Sequence, residues 1–527
     1  MSGVSDHEAV LTESQLQLKH QKQQKHKIRL WTKANITKMK TDAKKFSQNF
    51  LSTYTSMSVN DMWSSIKSNL LTILDDNVPS KLSTSKTFHP WITTETKRLI
   101  RNKQIWYQKA KRRNDEKTWK KYHEIKKLVQ KQCRKSHDVY VQDLISNDKS
   151  NKKFWTYIKS QRKEKTGISD ILDNNKWVTD PKHKADLFNL QFSRVFSTPG
   201  VPFVIPPINN NCKISHIKIT EKGVLKLLEN ININKAPGPD QIPGRLLRIV
   251  ADEIYEVLTI LFQSSLDNGS VPEDWKTAFI TPLFKKADKN DVQNYRPISL
   301  TSIICKLLEH IIHSSIMDFL DTNNILTDLQ HGFRQGRSCE SKLITTVRDF
   351  SNSLNASSQV DAILLDFSKA FDKVDHSILL SKMSKIGIQG PLLSWSASFL
   401  QGRTQQVVVD GSLSDPCLVQ SGVPQGTVLG PLFFLLYIND IHRNLSPGTH
   451  IRLFADDSLL YRTISNTTDT QILQTDLNTL QQWESNNKME FHPVKCTPLR
   501  ITNKRKSIVN KYTIHNVVLE TQSVVKY

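Results

Sequence analysis

The segment LFADDSLLY at residues 453–461 places two adjacent acids, Asp456 and Asp457, between two apolar runs. The runs predict two strands joined by a tight turn that carries both carboxylates. Acids are depleted in strands, and two in tandem repel each other unless a cation lies between them. The pattern indicates a metal-binding turn, although tandem acids in turns are common and the motif alone is weak.

A third acid follows another predicted strand. In VDAILLDFSKAFDKVDH, residues 360–376, the run from Val360 to Leu365 predicts a buried strand with Asp366 at its carboxyl end. Carboxylates on strands that adjoin in space can bridge two Mg²⁺ ions about 4 Å apart, whatever their separation in sequence. Asp366, Asp456 and Asp457 are therefore candidates for a two-metal phosphoryl-transfer site.

The charge of the chain indicates a polyanionic partner. Among 527 residues, 73 Lys and Arg oppose 50 Asp and Glu, giving a net charge of +23. Residues 97–135 contain sixteen Lys and Arg but three acids, and Trp119, Tyr122, Ile125 and Val129 recur at helical spacing. This predicts one long basic helix that contacts a nucleic-acid backbone, with a solvated helix face as the alternative. The candidate contacts are Lys109, Lys111, Arg112, Arg113, Lys120 and Lys121.

Cysteine spacing, apolar runs and prolines indicate the cellular compartment of the protein and its division into segments. The six cysteines form no CxxC pair, which predicts free thiols in a reducing compartment. The N-terminus lacks the apolar core of a signal peptide, and the longest strongly apolar run, residues 429–438, is half a membrane span. Four prolines in residues 197–211 predict a linker. We expect a soluble intracellular protein with a basic, mostly helical extension over residues 1–196.

Five segments in order resemble the signature blocks of reverse transcriptases, in particular those of jockey-type non-LTR retrotransposons. They are NYRPISLTSIICKLLEHII (294–312), QHGFRQGRSCESKL (330–343), DFSKAFD (366–372), SGVPQGTVLGPLFFLLYINDI (421–441) and LFADD (453–457). The resemblance covers roughly residues 220–527. A looser one, over residues 90–112, is to the segment that joins endonuclease and polymerase in such elements.

The resemblance implies an α/β (α+β) fold of the right-hand polymerase type. Fingers and a palm with a small antiparallel sheet would follow the basic helical extension. We expect a pre-fingers segment at residues 212–265 and the reverse transcriptase domain at residues 266–527. Nothing before residue 90 resembles an endonuclease and the sequence resembles no RNase H. We therefore expect a fragment of an element protein that stops before the thumb.

The resemblance also assigns roles to residues near the predicted turn. Asp366, Asp456 and Asp457 become the catalytic, metal-binding triad of the palm. Phe371, five residues after Asp366, falls where the family places the aromatic ring that screens the sugar. A ring against the 2′-carbon would exclude a hydroxyl and select deoxynucleotides; the alternative is that Phe371 is a core residue.

Further positions are expected to contact nucleotide and template. Gly422, Pro424, Gln425 and Gly426 resemble the block along the template and the incoming base, since glycines allow close approach and Gln can donate and accept hydrogen bonds. Without the resemblance this segment is an ordinary Pro/Gly turn. The candidate phosphate-binding cations are Arg296, Arg334 and Arg337, with Lys285 and Lys286 as weaker ones, and Lys495 near the departing pyrophosphate or in a surface salt bridge.

The predicted function is RNA-directed DNA polymerase, transferring dNMP to a primer 3′-hydroxyl. The implied cofactor is Mg²⁺ as two ions, with Mn²⁺ as a substitute. The implied partners are an RNA template, a DNA primer, dNTPs and the element RNA, without a membrane, in cytoplasm and nucleus. Two alternatives stay open: a catalytically silent nucleic-acid-binding remnant, and an RNA-dependent RNA polymerase.

Overall fold

A computed structural model of the chain describes most of its residues and divides it into two compact units. The described residues are 27–82, 89, 91–146, 154–155, 157–158, 167–197 and 212–522. One unit comprises Met1–Ile28 and Ser80–Ile168, and the other comprises Arg29–Pro79 and Ser169–Tyr527. Nearly all of the predicted proline-rich linker, residues 198–211, lies outside the described residues.

Helices and short strands alternate along the chain, which gives a mixed fold with small sheets. The helices are α1 (Ile36–Thr53), α2 (Val59–Asn77), α3 (Thr94–Arg113), α4 (Glu116–Ser146), α5 (Pro181–Ser193), α6 (Glu221–Glu229), α7 (Gly244–Ile249), α8 (Ala251–Asp267), α9 (Ile303–Thr322), α10 (Cys339–Asn355), α11 (His376–Lys385), α12 (Gly390–Leu400), α13 (Leu429–Ile438) and α14 (Thr467–Asn486). The strands are β1 (Lys27–Arg29), β2 (Ser80–Leu82), β3 (Ile171–Asp173), β4 (Lys176–Val178), β5 (Thr277–Phe284), β6 (Tyr295–Leu300), β7 (Gln359–Leu365), β8 (Thr404–Val409), β9 (Ser412–Leu413), β10 (Cys417–Leu418), β11 (Thr449–Phe454), β12 (Asp457–Ile464), β13 (Thr497–Ile501), β14 (Thr513–Ile514) and β15 (Val517–Val518).

The smaller unit is built on a hairpin of two helices, α3 and α4. The prediction of one long basic helix is wrong, because α3 ends at Arg113 and the residue that follows, Asn114, adopts a left-handed φ of 49°. The next residue, Asp115, caps the start of α4, because its Oδ1 accepts a hydrogen bond from the Thr118 amide at 2.8 Å. The Asn-Asp pair thus ends one helix and caps the next.

The aromatic-apolar stripe of α4 is confirmed. Ile125 and Val129 are buried, and Trp119 and Tyr122 are half-buried. The Trp119 ring packs edge-on against Tyr122 at 5.8 Å and against Tyr107 of α3 at 6.3 Å. The stripe therefore contributes to the α3–α4 contact and leaves the basic residues outside.

In the larger unit, a four-stranded antiparallel sheet has the order β11-β12-β7-β13. The central strand β7 is almost wholly buried, as the apolar run 360–365 predicts. Its last residue, Leu365, pairs with Ser458 of β12. The carboxyl end of β7 therefore lies beside the turn between β11 and β12.

A second sheet has five strands in the order β10-β8-β5-β6, with β9 paired to β8. It is mixed, because β5 runs antiparallel to β6 and parallel to β8. Helix α5 packs on it, and the Phe188 ring of α5 meets Tyr295 of β6 edge-on at 4.8 Å. This contact adds residues 181–193 to the larger unit.

The N-terminal helices α1 and α2 also pack into the larger unit. The buried face of α2 includes Met62, Ile66, Leu70 and Ile73, which recur at helical spacing. The Trp63 ring lies edge-on to Trp275 at 5.2 Å. The compact units thus divide the chain differently from the predicted extension over residues 1–196, because apolar faces join α1 and α2 to α8.

Helix α13 is apolar on all sides and buried. Its first turn is capped by a distant side chain, since Glu309 Oε2 accepts hydrogen bonds from the amides of Val428 and Leu429 at 2.7 and 3.1 Å. Burial raises the pKa of Glu309, and these two donors oppose the rise. Within the described ranges, no helix is long and apolar enough to cross a membrane.

Candidate active site

The structure brings the three predicted acids to one edge of the four-stranded sheet. Asp456 lies in the two-residue turn between β11 and β12, and Asp457 begins β12 opposite Phe454. Asp366 follows Leu365, which pairs with Ser458. Burial raises the pKa of Asp456, and the nearby charges of Asp457 and Asp366 raise it further.

The carboxylates fit a divalent cation by their chemistry. Carboxylate oxygens are the ligands that hard cations prefer, and a cation would relieve the repulsion that raises the pKa of Asp456. Over the described residues, no three His, Cys, Asp or Glu side chains form a ready-made metal cluster. Asp366 and Asp456 are suitable ligands by the chemistry of their carboxylate oxygens.

Lys495 lies at this edge of the sheet. Its Nζ is 3.2 Å from Asp366 Oδ2, and about half of its side chain, 52%, is exposed. The Asp366 carbonyl accepts a hydrogen bond from the His492 amide at 2.8 Å, which fixes the segment just before Lys495. The salt bridge expected as an alternative is therefore present, and its acid is one of the candidate catalytic residues.

Two further cations share this electrostatic neighbourhood. Burial lowers the pKa of Lys285, the positive charges of Arg296 and Lys495 lower it further, and Asp366 opposes them. Arg296 is exposed on β6, and its charge opposes the raised pKa of Asp456. Lys285, Arg296 and Lys495 therefore place three positive charges near the carboxylates.

The other two candidate arginines serve a nearby loop. Arg334 Nη1 donates to the Thr327 carbonyl at 2.8 Å, and Arg337 Nη1 donates to the Asp328 carbonyl at 2.6 Å. Their side chains are 13% and 26% exposed. In this arrangement both guanidinium groups hold the loop that precedes the QHG sequence at residues 330–332.

Phe371 is half-buried at the margin of the core. Its ring stacks on Phe434 of α13 at 4.4 Å, and its edge meets the exposed Phe333 at 6.3 Å. The Phe371 carbonyl accepts a hydrogen bond from the Val423 amide at 2.9 Å. The candidate sugar screen therefore lies directly against the Gly/Pro block that was expected to meet the nucleotide.

The glycines of that block allow close packing on the chain itself. A Cβ on Gly422, where φ is 88°, would lie 2.8 Å from Asp372 Cα, and one on Gly426 would lie 2.7 Å from the Ser299 carbonyl oxygen. The Pro424 carbonyl, between them, accepts from Thr427 Oγ1 at 2.8 Å. These contacts hold residues 422–426 between Asp372, which follows β7, and Ser299 of β6.

The side chain of Gln425 has a partner that the sequence did not indicate. Its Nε2 donates to Asp372 Oδ1 at 3.0 Å. Burial raises the pKa of Asp372 to about 6, and this hydrogen bond opposes the rise. The segment DKVD offered no local signal for this contact, because Gln425 lies 53 residues away along the chain.

Lys342 is another residue near the site that sequence reasoning missed. It is buried on α10, and its Nζ lies 3.4 Å from the Asp457 carbonyl oxygen. Burial lowers the pKa of Lys342 to about 8, and Asp457 opposes the change. A lysine among apolar neighbours in a helix normally predicts an exposed position, so the sequence pattern pointed the other way.

The strands that carry these carboxylates lie in the part of the chain that resembles a known polymerase family. Residues 285–519 match the family described as reverse transcriptase (RNA-dependent DNA polymerase). Domains of this family generally use divalent metal ions. The matched region contains Asp366, Asp456, Asp457, Phe371 and Lys495.

Relatives make the resemblance more specific. The RNA-directed DNA polymerase from the mobile element jockey of Drosophila melanogaster is 27% identical over 387 residues, which are 70% of this chain and 42% of that protein. The probable RNA-directed DNA polymerase from transposon BS of the same species is 28% identical over 330 residues, 61% of this chain and 36% of that protein. The chain thus spans less than half of these relatives. The predicted resemblance to jockey-type non-LTR reverse transcriptases is confirmed.

Proposed function

We propose that the chain is an RNA-directed DNA polymerase of the non-LTR retrotransposon type. The observation that carries the proposal is the convergence of Asp366 and Asp456 at one sheet edge within the matched family region. In this proposal the four-stranded sheet is the palm and the five-stranded sheet belongs to the fingers. The polymerase domain is proposed to span residues 266–527, with residues 212–265 ahead of the fingers.

Asp366 and Asp456 would hold two Mg²⁺ ions, with Asp457 assisting and Mn²⁺ as a substitute. Bound ions of this kind lower the pKa of a primer 3′-hydroxyl and neutralise charge on the leaving pyrophosphate. Burial raises the pKa of Asp456 and repulsion from Asp457 and Asp366 adds to the rise, and this repulsion would favour binding of a cation. The reaction is attack of the primer hydroxyl on the α-phosphate of a dNTP.

Three cations are proposed to receive the triphosphate. Arg296 can bind phosphate oxygens through two N–H groups, and Lys285 and Lys495 can bind as point charges. Burial lowers the pKa of Lys285 and repulsion from Arg296 and Lys495 lowers it further, and an anion between these cations would relieve the repulsion. Lys495 would exchange its contact with Asp366 for the departing pyrophosphate when cations occupy the carboxylates.

The template path is proposed to follow the Gly/Pro block. Gly422, Pro424, Gln425 and Gly426 would lie along the template and the incoming base, with Asp372 orienting the Gln425 amide. Arg334 and Arg337 would reach template phosphates from their loop. The proposed partners are an RNA template, a DNA primer and dNTPs, including the element RNA, with action in the cytoplasm and nucleus.

A primer-extension assay on homopolymer RNA tests the function. We expect dNMP incorporation that requires a divalent cation and an annealed primer. RNA binding without any extension, with metal and primer abundant, would favour the silent remnant. Incorporation of ribonucleotides in preference to deoxyribonucleotides would favour an RNA polymerase.

Replacing Phe371 with valine should relax sugar selection. The smaller side chain removes the ring that Phe434 and Phe333 hold in place, and opens space at the 2′-carbon. We expect the rNTP-to-dNTP ratio of kcat/KM to rise by at least about tenfold, ~1.4 kcal/mol of discrimination. The measurement is single-nucleotide incorporation with each substrate.

The matched control is Phe350→Val. Phe350 is a half-buried aromatic residue of α10 that packs edge-on against Tyr461 at 5.2 Å, on a different cluster from Phe371. This change should lower stability without changing the sugar ratio. An unchanged ratio in Phe371→Val would mean that Phe371 is a core residue and that the sugar is screened elsewhere.

A further inference from the structure

The turn that carries Asp456 has a strained backbone. Ala455, the residue before it, adopts a φ of 54°, in the left-handed region that residues other than Gly, Asn and Asp rarely enter. Such conformations persist where surrounding contacts over-determine them, and they concentrate at functional sites. The contacts that hold Ala455 therefore bear on the position of the Asp456 carboxylate.

Gln330 supplies these contacts. Its side chain is buried, and Oε1 accepts hydrogen bonds from the Ala455 amide at 2.9 Å and from the Gly332 amide at 2.8 Å. Its Nε2 faces the Ala455 carbonyl oxygen at 3.4 Å. One amide group thus meets both main-chain polar groups of the strained residue.

The main chain around Gln330 reinforces this arrangement. The His331 amide donates to the Leu453 carbonyl at 2.9 Å, and the Leu453 amide donates to the Leu329 carbonyl at 2.9 Å. A Cβ on Gly332 would lie 2.4 Å from the Ala455 nitrogen, so this approach is open to glycine alone. Residues 329–332 therefore lie against the turn, and Gly332 has no space there for an added carbon.

We propose that Gln330 and Gly332 are positioning residues that fix the Ala455–Asp456 turn, so that the Asp456 carboxylate is presented to the metal together with Asp366. This inference rests on the proposed polymerase function. Neither residue touches nucleotide or metal in this scheme. Their effect passes through the main chain of Ala455 alone.

Among the residues that the structure describes, Gln359 and Gln474 make the same kind of contact away from Asp366 and Asp456. Gln359 Oε1 accepts from the Ile508 amide at 2.9 Å and its Nε2 donates to the Ile508 carbonyl at 2.8 Å. Gln474 makes the equivalent pair with Thr513 at 2.9 and 3.0 Å. Gln359 and Gln474 are therefore matched controls, because each side-chain amide bonds the N–H and the carbonyl of a single residue as Gln330 does.

The test compares Gln330→Met, Gln359→Met and Gln474→Met in the full chain, because methionine keeps the volume and removes the hydrogen bonds. Three quantities are measured: the kcat of primer extension, the Mg²⁺ concentration that gives half-maximal rate, and backbone cleavage near residues 366 and 456 by Fe²⁺ with ascorbate. Gln330→Met should lower kcat by about 10- to 100-fold, raise the Mg²⁺ requirement at least about fivefold and weaken Fe²⁺ cleavage. The two controls should lower the melting temperature but leave all three quantities within about twofold.

If Gln330→Met does not fold, Gly332→Ala is the second variant, because it changes the close approach of Gly332 to the Ala455 nitrogen. It should reproduce the raised Mg²⁺ requirement, because the added carbon displaces the turn. Variants of Gln330 and Gly332 that match the controls in Mg²⁺ requirement and in Fe²⁺ cleavage would overturn the inference. A wild-type chain without extension would instead contradict the proposed function, while the Fe²⁺ cleavage pattern would still decide whether Gln330 positions the turn.

Discussion

Asp456→Asn should abolish primer extension while leaving the fold and RNA affinity nearly intact. An amide cannot bridge two cations, whereas removal of one charge relieves the repulsion from Asp457 and Asp366. We expect kcat to fall by at least about a thousandfold, ~4 kcal/mol of barrier. Single-turnover extension with saturating primer and template measures the loss, and melting temperature and RNA binding measure what is retained.

Asp410→Asn is the matched control. Asp410 is an exposed acid in the two-residue turn between β8 and β9, with a φ of 48°. The same change there should leave extension within about twofold. If Asp456→Asn retained activity within about tenfold of wild type, the metal assignment would fail.

Local patterns predicted the elements of the site. The apolar run before Asp366 predicted β7, and the two runs around Asp456 and Asp457 predicted the hairpin β11–β12. Both signals are contained within a few residues, because a buried strand and a tight turn are fixed by local periodicity and composition.

The supports of the site could not be predicted in this way. Gln330 lies 125 residues from Ala455, and Glu309 lies 119 residues from the amide of Val428 that it caps. A single polar side chain that satisfies a distant main-chain group leaves no periodic signal at either position. For the contact with Ala455, the sequence offered one local sign: Gln330 and Gly332 both lie in the block at residues 330–343 that resembles the family.

The compact units differ from the predicted extent of the basic extension for a related reason. Charge density and prolines suggested that residues 1–196 form one segment, whereas apolar faces place α1, α2 and α5 in the larger unit. Sequence periodicity shows that a helix has an apolar face but not which surface covers it. Likewise, the helix break at Asn114 and Asp115 was a two-residue signal hidden in a long run of helix-forming residues.

The helical hairpin of α3 and α4 should bind nucleic acid through its phosphates. All six candidate contacts are exposed, and four of them take part in the test: Lys111, Arg112, Arg113 and Lys120. The other two have local partners, since Lys109 lies over the Trp106 ring and Lys121 pairs with Glu124. Replacing the four with glutamine should flatten the plot of log K against log salt on single-stranded RNA by about 3, at roughly 0.7 per contact. Between 50 and 200 mM salt, the variant should then lose about 50-fold less affinity than wild type.

Substitution is a sharper test than deletion, because removing residues 1–196 would also remove α1 and α2 from the core of the larger unit. A control with the same loss of charge changes four exposed lysines of residues 212–229 to glutamine: Lys213, Lys218, Lys222 and Lys226. A general loss of net charge would flatten both plots alike, whereas direct phosphate contact flattens the hairpin variant's plot alone. Extension at saturating template should survive in both variants, since neither changes the carboxylate site. If the slope of the hairpin variant equals that of wild type, the basic face of α3 and α4 is solvated and contacts no phosphate.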